Sequence, residues 1–289
     1  MAETRPIAAA IWMLGSVVAF TAMAVAARTV AAVHDSFEVL MVRSIIGLAL
    51  VLAYGLARGQ LGEISTQNLS GHFLRNIVHF VGQNLWFLAL TLIPLAQVFA
   101  LEFTSPIWVI LLSPIFLNER FTKSRLAAAA LGFAGILLAT RPDVTALHPG
   151  VLAGLGAAVC FAVVGILTKR LTRGTPVIGI LFWLTLMQFF FGLITAGADG
   201  AITWPTTQTL PWLALIGLSG VVAHLSLTTA LSLAPASYVM PVDFLRLPLI
   251  AAIGALAFGE PLDPWVLAGG AVIFFGIWVN IRAQSRSAT

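Results

Sequence analysis

The sequence predicts an all-α membrane protein in which ten transmembrane helices form two inverted five-helix repeats. Three observations predict it. Hydrophobic residues make up 60% of the chain and charged residues 9%, where a soluble domain carries about 25% charged residues. The apolar residues also fall in long runs divided by short polar breaks, the pattern of spanning helices. Next, the chain repeats itself: Ile93 to Arg141 matches Ala234 to Arg282 at a constant shift of 141 residues, pairing Pro94 with Pro235, Phe103 with Phe244 and Glu119 with Glu260. The same shift pairs Gly15 with Gly156, Phe20 with Phe161 and Arg28 with Lys169, and only the second span needs 145, pairing Arg43 with Gln188 and Gly47 with Gly192. Last, loop charge is one-sided. With a cytoplasmic N-terminus, the inner segments hold Arg5, Arg58, Arg120, Lys123, Arg125, Lys169, Arg170, Arg173, Arg282 and Arg286, and the outer loops hold Arg28 and Arg141. That bias follows the positive-inside rule, puts both termini in the cytoplasm and fits ten crossings. Five spans per half is odd, so the second repeat (144–289) lies upside down relative to the first (1–143), a construction used by many secondary transporters.

Each span has its own justification. Span one, Ile7–Val30, follows a short N-terminal segment and lacks a convincing small-residue cleavage site, so it reads as a retained helix. Span two, Phe37–Leu56, carries Arg43, and span three, Gly71–Leu92, carries a polar stripe. Span four, Pro94–Leu117, contains Pro106 and Pro114. Span five, Ser124–Thr140, follows the capping residue Thr122 and contains Gly132 and Gly135. Spans six, seven and eight (Gly150–Lys169, Pro176–Ala196 and Pro211–Leu231) repeat the first three. Span nine, Pro235–Phe258, contains Pro241 and Pro248, and span ten, Pro264–Ile281, begins at a proline behind the capping residue Asp263. The four prolines of spans four and nine each free a carbonyl and are expected to bend their helices, letting half a helix rock. Glycines of spans five and ten, including Gly269, Gly270 and Gly276, allow close backbone approach.

Composition excludes several classes. The 15 basic and 11 acidic residues give a net charge of +4, but the basic ones gather in loops on one side, so no nucleic-acid partner follows. Cys160 is the only cysteine, which rules out an intrachain disulfide and a cysteine-based metal cluster. No cofactor, metal ligand set or catalytic residue is expected: the chain has no His-Glu-x-x-His and no Gly-x-Ser-x-Gly. It also lacks a Gly-rich phosphate loop, which argues against ATP-driven transport.

Polar groups within spans are costly and therefore informative. Arg43, Arg75, Glu102, Asp243 and Arg246 would together cost roughly 15 kcal/mol if unpaired, so they face a wet cavity or one another. His72, Arg75, His79, Gln83 and Trp86 recur at helical spacing and share one face of span three. One reading is a cavity wall, with Arg75 attracting a carboxylate or phosphate and Trp86 stacking on a ring. The other is a packing interface in which Arg75 neutralises an acid on a neighbouring helix. His72, near the span's start, reads as interfacial. His79 is either a titrating group or a satisfied structural donor. Glu102 and Asp243 are repeat equivalents, expected to face each other near the centre. There they could bind a cation or exchange a driving proton, or simply balance charge, since Asp243 precedes Arg246 by three residues. His224 aligns with Gln83, polar in both halves. Arg43, aligned with Gln188, is a site residue or a helix-to-helix donor. Glu119 and Glu260 end their spans and read as caps or turn anchors.

Each half thus ends in a proline-containing span, a short Glu-containing turn and a Gly-containing span. The first copy carries Pro106, Pro114, Asn118-Glu119-Arg120, Gly132 and Gly135; the second carries Pro241, Pro248, Gly259-Glu260 and Gly276. This construction resembles the drug/metabolite transporter superfamily, in particular its EamA-type carriers. Gln83-Asn84-Leu85-Trp86-Phe87 leading into Ile93-Pro94-Leu95-Ala96 is most similar to the bacterial carriers of riboflavin or S-adenosylmethionine. The resemblance implies a multi-pass carrier in a bacterial cytoplasmic membrane, moving a small solute by alternating access, with spans five and ten at an edge that often makes a homodimer. The expected partners are the solute and the bilayer. The expected site is Arg75, His79, Gln83, Trp86, Glu102, His224, Asp243 and Arg246, with Glu102 and Asp243 as proton-coupling candidates. An intramembrane enzyme or a channel is the alternative class.

Overall fold

The computed structural model describes residues 6–105, 107–109, 111–112, 123–141, 148–171, 174–198, 201–233, 242–243 and 245–287. Pro106, Pro114, Asn118, Glu119, Arg120, Pro235 and Pro241 lie outside them. The described helices are α1 (Pro6–Val30), α2 (Ser36–Ala57), α3 (Leu69–Leu92), α4 (Leu95–Glu102), α5 (Lys123–Thr140), α6 (Pro149–Leu171), α7 (Val177–Ala196), α8 (Leu210–Leu233), α9 (Arg246–Phe258) and α10 (Pro264–Ser287). No strand occurs among the described residues. Among the described residues, five helices are long and apolar enough to cross a membrane, over Ile7–Val30, Ser36–Ala57, Pro149–Thr168, Val177–Ala196 and Leu210–Leu227. α3 has the length, 24 residues, but its polar stripe dilutes its hydropathy.

Local chemistry sets several helix ends. Asp35 caps α2: its carboxylate accepts from the Glu38 N–H at 2.8 Å, and Glu38 accepts from the Asp35 N–H at 3.2 Å, a reciprocal capping box. Asp263 caps α10 as its sequence position predicts, accepting from the Trp265 N–H at 2.9 Å. Glu260 does anchor a turn, but the helix it caps is distant in sequence. It accepts from the backbone N–H of Leu95 at 2.8 Å and from Arg28 at 2.7 Å, while Arg28 also donates to the Ile93 carbonyl at 3.1 Å. One carboxylate therefore fastens the end of α1 and the start of α4 to the α9–α10 turn.

The helix interruptions fall at equivalent points in the two repeats. α4 stops at Glu102 and the chain turns at Phe103–Thr104, while Asp243 precedes a turn at Leu245 before α9 resumes. Pro106 cannot donate to the carbonyl four residues back, that of Glu102. The Ser105 hydroxyl donates to it instead, at 2.6 Å. Pro248 lies in the first turn of α9, where a missing N–H is tolerated, and the turn at Leu245 that interrupts the ninth span falls just before it.

Packing follows a pseudo-two-fold pattern. α1 packs on α8 and α3 on α6, which are equivalent pairs, while α2 meets α7, α4 meets α9 and α5 meets α10. α4 occupies the centre, with Val98, Phe99, Ala100 and Leu101 fully buried. Between α5 and α10 the close approach has a specific cause: a β-carbon at Gly135 would lie 2.7 Å from the Gly269 carbonyl oxygen. Gly269→Val is expected to force these helices apart at a cost of about 1–3 kcal/mol, read as a lower Tm of the purified protein. An unchanged Tm would mean that the helix pair has slack.

Candidate functional site

The polar face of α3 is buried as a unit, and His72, Arg75, His79, Gln83 and Trp86 all point into the bundle. Its members nevertheless serve different neighbourhoods. Their span of fourteen residues corresponds to about 21 Å of helix, too long for one small-molecule site. His72, near the start of the helix, is fully buried beside the Trp183 ring, with centroids 6.3 Å apart. Arg75 donates to the Thr168 hydroxyl on α6 at 3.1 Å and to the Asn76 side chain at 2.8 Å. Asn76 in turn donates to the Trp183 carbonyl at 3.1 Å, and its own carbonyl accepts from Gln188 at 2.9 Å. Arg75 has no carboxylate partner among the described residues, so it stitches α3 to α6 where the packing alternative required an acid. Arg75→Ala is expected to lower Tm, since a hydrogen bond from a charged donor contributes about 1.5–3 kcal/mol, and Arg75→Lys to recover part of the loss. Equal Tm values for all three proteins would remove this bridging role.

The middle of the face opens on a cavity. Arg43 and Ser44 of α2, His79 and Gln83 of α3, Thr185 and Gln188 of α7, and Gly220 and His224 of α8 line it. The space between its atoms, including the part open to the outside, is about 430 Å³. His79 lies edge-on to Phe161 and to His224, with centroids 6.1 and 6.4 Å apart. His224 and Gln83, aligned by the repeat, therefore reach one cavity from opposite halves.

Trp86, at the end of the face, belongs to a second cluster. Its indole N–H donates to Glu102 at 2.9 Å, and Arg246 donates to the other oxygen of Glu102 at 3.2 Å. Arg246 also donates to Asp243 at 2.7 Å. Glu102 and Asp243 thus meet as the repeat predicts, but through Arg246, and each sits at the broken end of its helix. The guanidinium carbon lies 4.9, 5.2 and 5.0 Å from the ring centres of Phe20, Phe99 and Phe103, so its charge is stabilised by two carboxylates and three aromatic faces. One carboxylate oxygen of Asp243 and the Nε of Arg246 have no hydrogen-bond partner among the described residues.

An interrupted-helix bundle with buried charges at the breaks matches a known family. Each half of the chain, residues 7–141 and 148–282, matches the EamA-like transporter family. The chain belongs to that family. As an EamA-like transporter it is a multi-pass membrane protein, and its two matches are displaced by the 141 residues that relate its halves. It is 28% identical over 283 residues to an S-adenosylmethionine uptake transporter of Rickettsia bellii, covering 95% of each chain. It is 30% identical over 279 residues to a riboflavin transporter of Vibrio cholerae, covering 94% of this chain and 92% of that one. A solved crystal structure at 19% identity superposes with a TM-score of 0.69 over 97% of this chain and 99% of its own, a likeness of fold.

Sequence reasoning left Arg43 and Gln188 outside the expected site, and Phe20, Phe99 and Phe103 unremarked as its walls. The signal was present for four of them. Arg43 with Gln188, Phe20 with Phe161, and Phe103 with Phe244 are all repeat pairs.

Proposed function

We propose that this EamA-like transporter is a secondary carrier that moves a small polar or zwitterionic metabolite across the cytoplasmic membrane of a bacterium by alternating access. The observation that carries the reading is the pair of equivalent helix breaks at Glu102 and Asp243, joined by Arg246. Discontinuous helices at the repeat interface provide the polar backbone and the hinge that rocking carriers use. Ten crossings with both termini inside suit the side-chain bonds between segments distant in sequence. Arg28 and Glu260, His34 and Thr209, and Trp183 and Ser65 each join segments that this topology assigns to one side. Glu102 and Asp243 are the candidates for proton coupling, and α5 with α10 for any homodimer contact. The relatives make S-adenosylmethionine and riboflavin the first solutes to try.

Sealed proteoliposomes test the reading. Saturable uptake with counterflow of a preloaded solute is the expected result. Product formation without accumulation would replace the carrier by an enzyme, and non-saturating flux without counterflow would replace it by a channel.

A further inference from the structure

The two buried polar centres differ in charge. In the first, Arg246 is shared by Glu102 and Asp243, so both acids are committed to a cation of the protein itself. The cavity between α2, α3, α7 and α8 has the opposite character. Arg43 lines it, no acid does, and Arg43 makes no ion pair or hydrogen bond among the described residues. Its guanidinium lies close to α8 at Gly220, where a β-carbon would come within 2.9 Å of Nε. Beside it are two buried polar atoms without partners among the described residues: Nδ1 of His79, a residue 5% exposed, and Oε1 of Gln188, a residue 3% exposed. An isolated cation within a bilayer is costly, and two unmet polar atoms add to that cost. A solute that brings an anionic oxygen group for Arg43, with an N–H or O–H for Gln188, relieves the cost of those two.

We propose that this cavity is the binding site for an anionic oxygen group of the solute, a carboxylate or a phosphate, with Arg43 as its counter-charge. The inference rests on the carrier reading and narrows it: the solute bears a negative group, and Glu102 and Asp243 are not its primary anchor. The planar guanidinium suits such a group because it can donate two parallel hydrogen bonds. Gly220 borders the site, and a side chain there would shift the guanidinium from its present place.

Equilibrium binding to the purified full-length protein tests this with matched probes: nicotinate against nicotinamide for the carboxylate, and adenosine 5′-monophosphate against adenosine for the phosphate. At least one charged member is expected to bind about tenfold more tightly than its neutral partner, since a hydrogen bond to a charged group is worth that much. The pair that shows the preference identifies the group. Arg43→Gln is expected to erase the preference and Arg43→Lys to keep part of it. Gly220→Ser is expected to erase it with Arg43 still present, which covers the case in which Arg43→Gln does not fold. Equal binding within both pairs, binding of none of the four probes, or a preference that survives both Arg43→Gln and Gly220→Ser would overturn the proposal. None of these measurements requires transport, so their failure leaves the vesicle test of the carrier intact.

Discussion

Arg246→Met is expected to destabilise the protein by about 3–5 kcal/mol, the usual cost of removing one partner from a buried ion pair. The substitution keeps volume and removes charge. It leaves Glu102 with only the Trp86 N–H at 2.9 Å and removes the bond to Asp243 at 2.7 Å. Two carboxylates then remain close together in a space walled by Phe20, Phe99 and Phe103, with no cation to offset them. The double variant Glu102→Gln/Arg246→Met removes one of those charges and is expected to regain part of the loss. Thermal unfolding of the single and double variants in lipid nanodiscs measures both steps. An Arg246→Met protein as stable as the parent would show that the cluster stays solvated and contributes no net pairing energy.

The second large effect concerns transport. Glu102→Gln is expected to abolish solute uptake or its pH dependence while the protein remains folded. Glutamine has the same shape, and its amide oxygen can still accept from Trp86 or from Arg246, though not from both, so the side chain keeps one of its two bonds. What is lost is the capacity to gain and release a proton. Uptake by reconstituted protein across a pH series, with Tm as the folding control, separates the outcomes. Unchanged uptake at every pH would remove Glu102 from the mechanism.

Much of this fold was legible in the sequence because a duplicated chain checks itself. Glu102 and Asp243 mark the same point in two copies, and helix interruptions occur beside both. Helical spacing also identified the buried face of α3. Spacing gives a direction around a helix axis, however, and not a depth along it. Arg75, His79 and Trp86 share that direction, yet they reach Thr168, the cavity and Glu102 respectively. Nor does a sequence disclose which charges neutralise one another. Arg246 could be assigned to Asp243 by its spacing of three, but its bond to Glu102 crosses 144 positions. Once that bond is known both acids are accounted for, and among the described residues Arg75 is left with neutral partners and Arg43 with neither an ion pair nor a hydrogen bond.

The exceptional shift in the second span has a geometric consequence. α2 and α7 begin at Ser36 and Val177, 141 residues apart, yet Arg43 matches Gln188 at 145. Arg43 therefore lies seven residues into its helix and Gln188 eleven into its own, a slip of about one turn or 6 Å. In an antiparallel pair, depths measured from opposite ends add, so a strictly symmetric copy would have left the two polar groups on opposite sides of the membrane midplane. Sliding one of them inward by a turn preserves its facing direction and brings both to nearly the same level. The departure from perfect duplication is thus what turned two half-sites into one cavity.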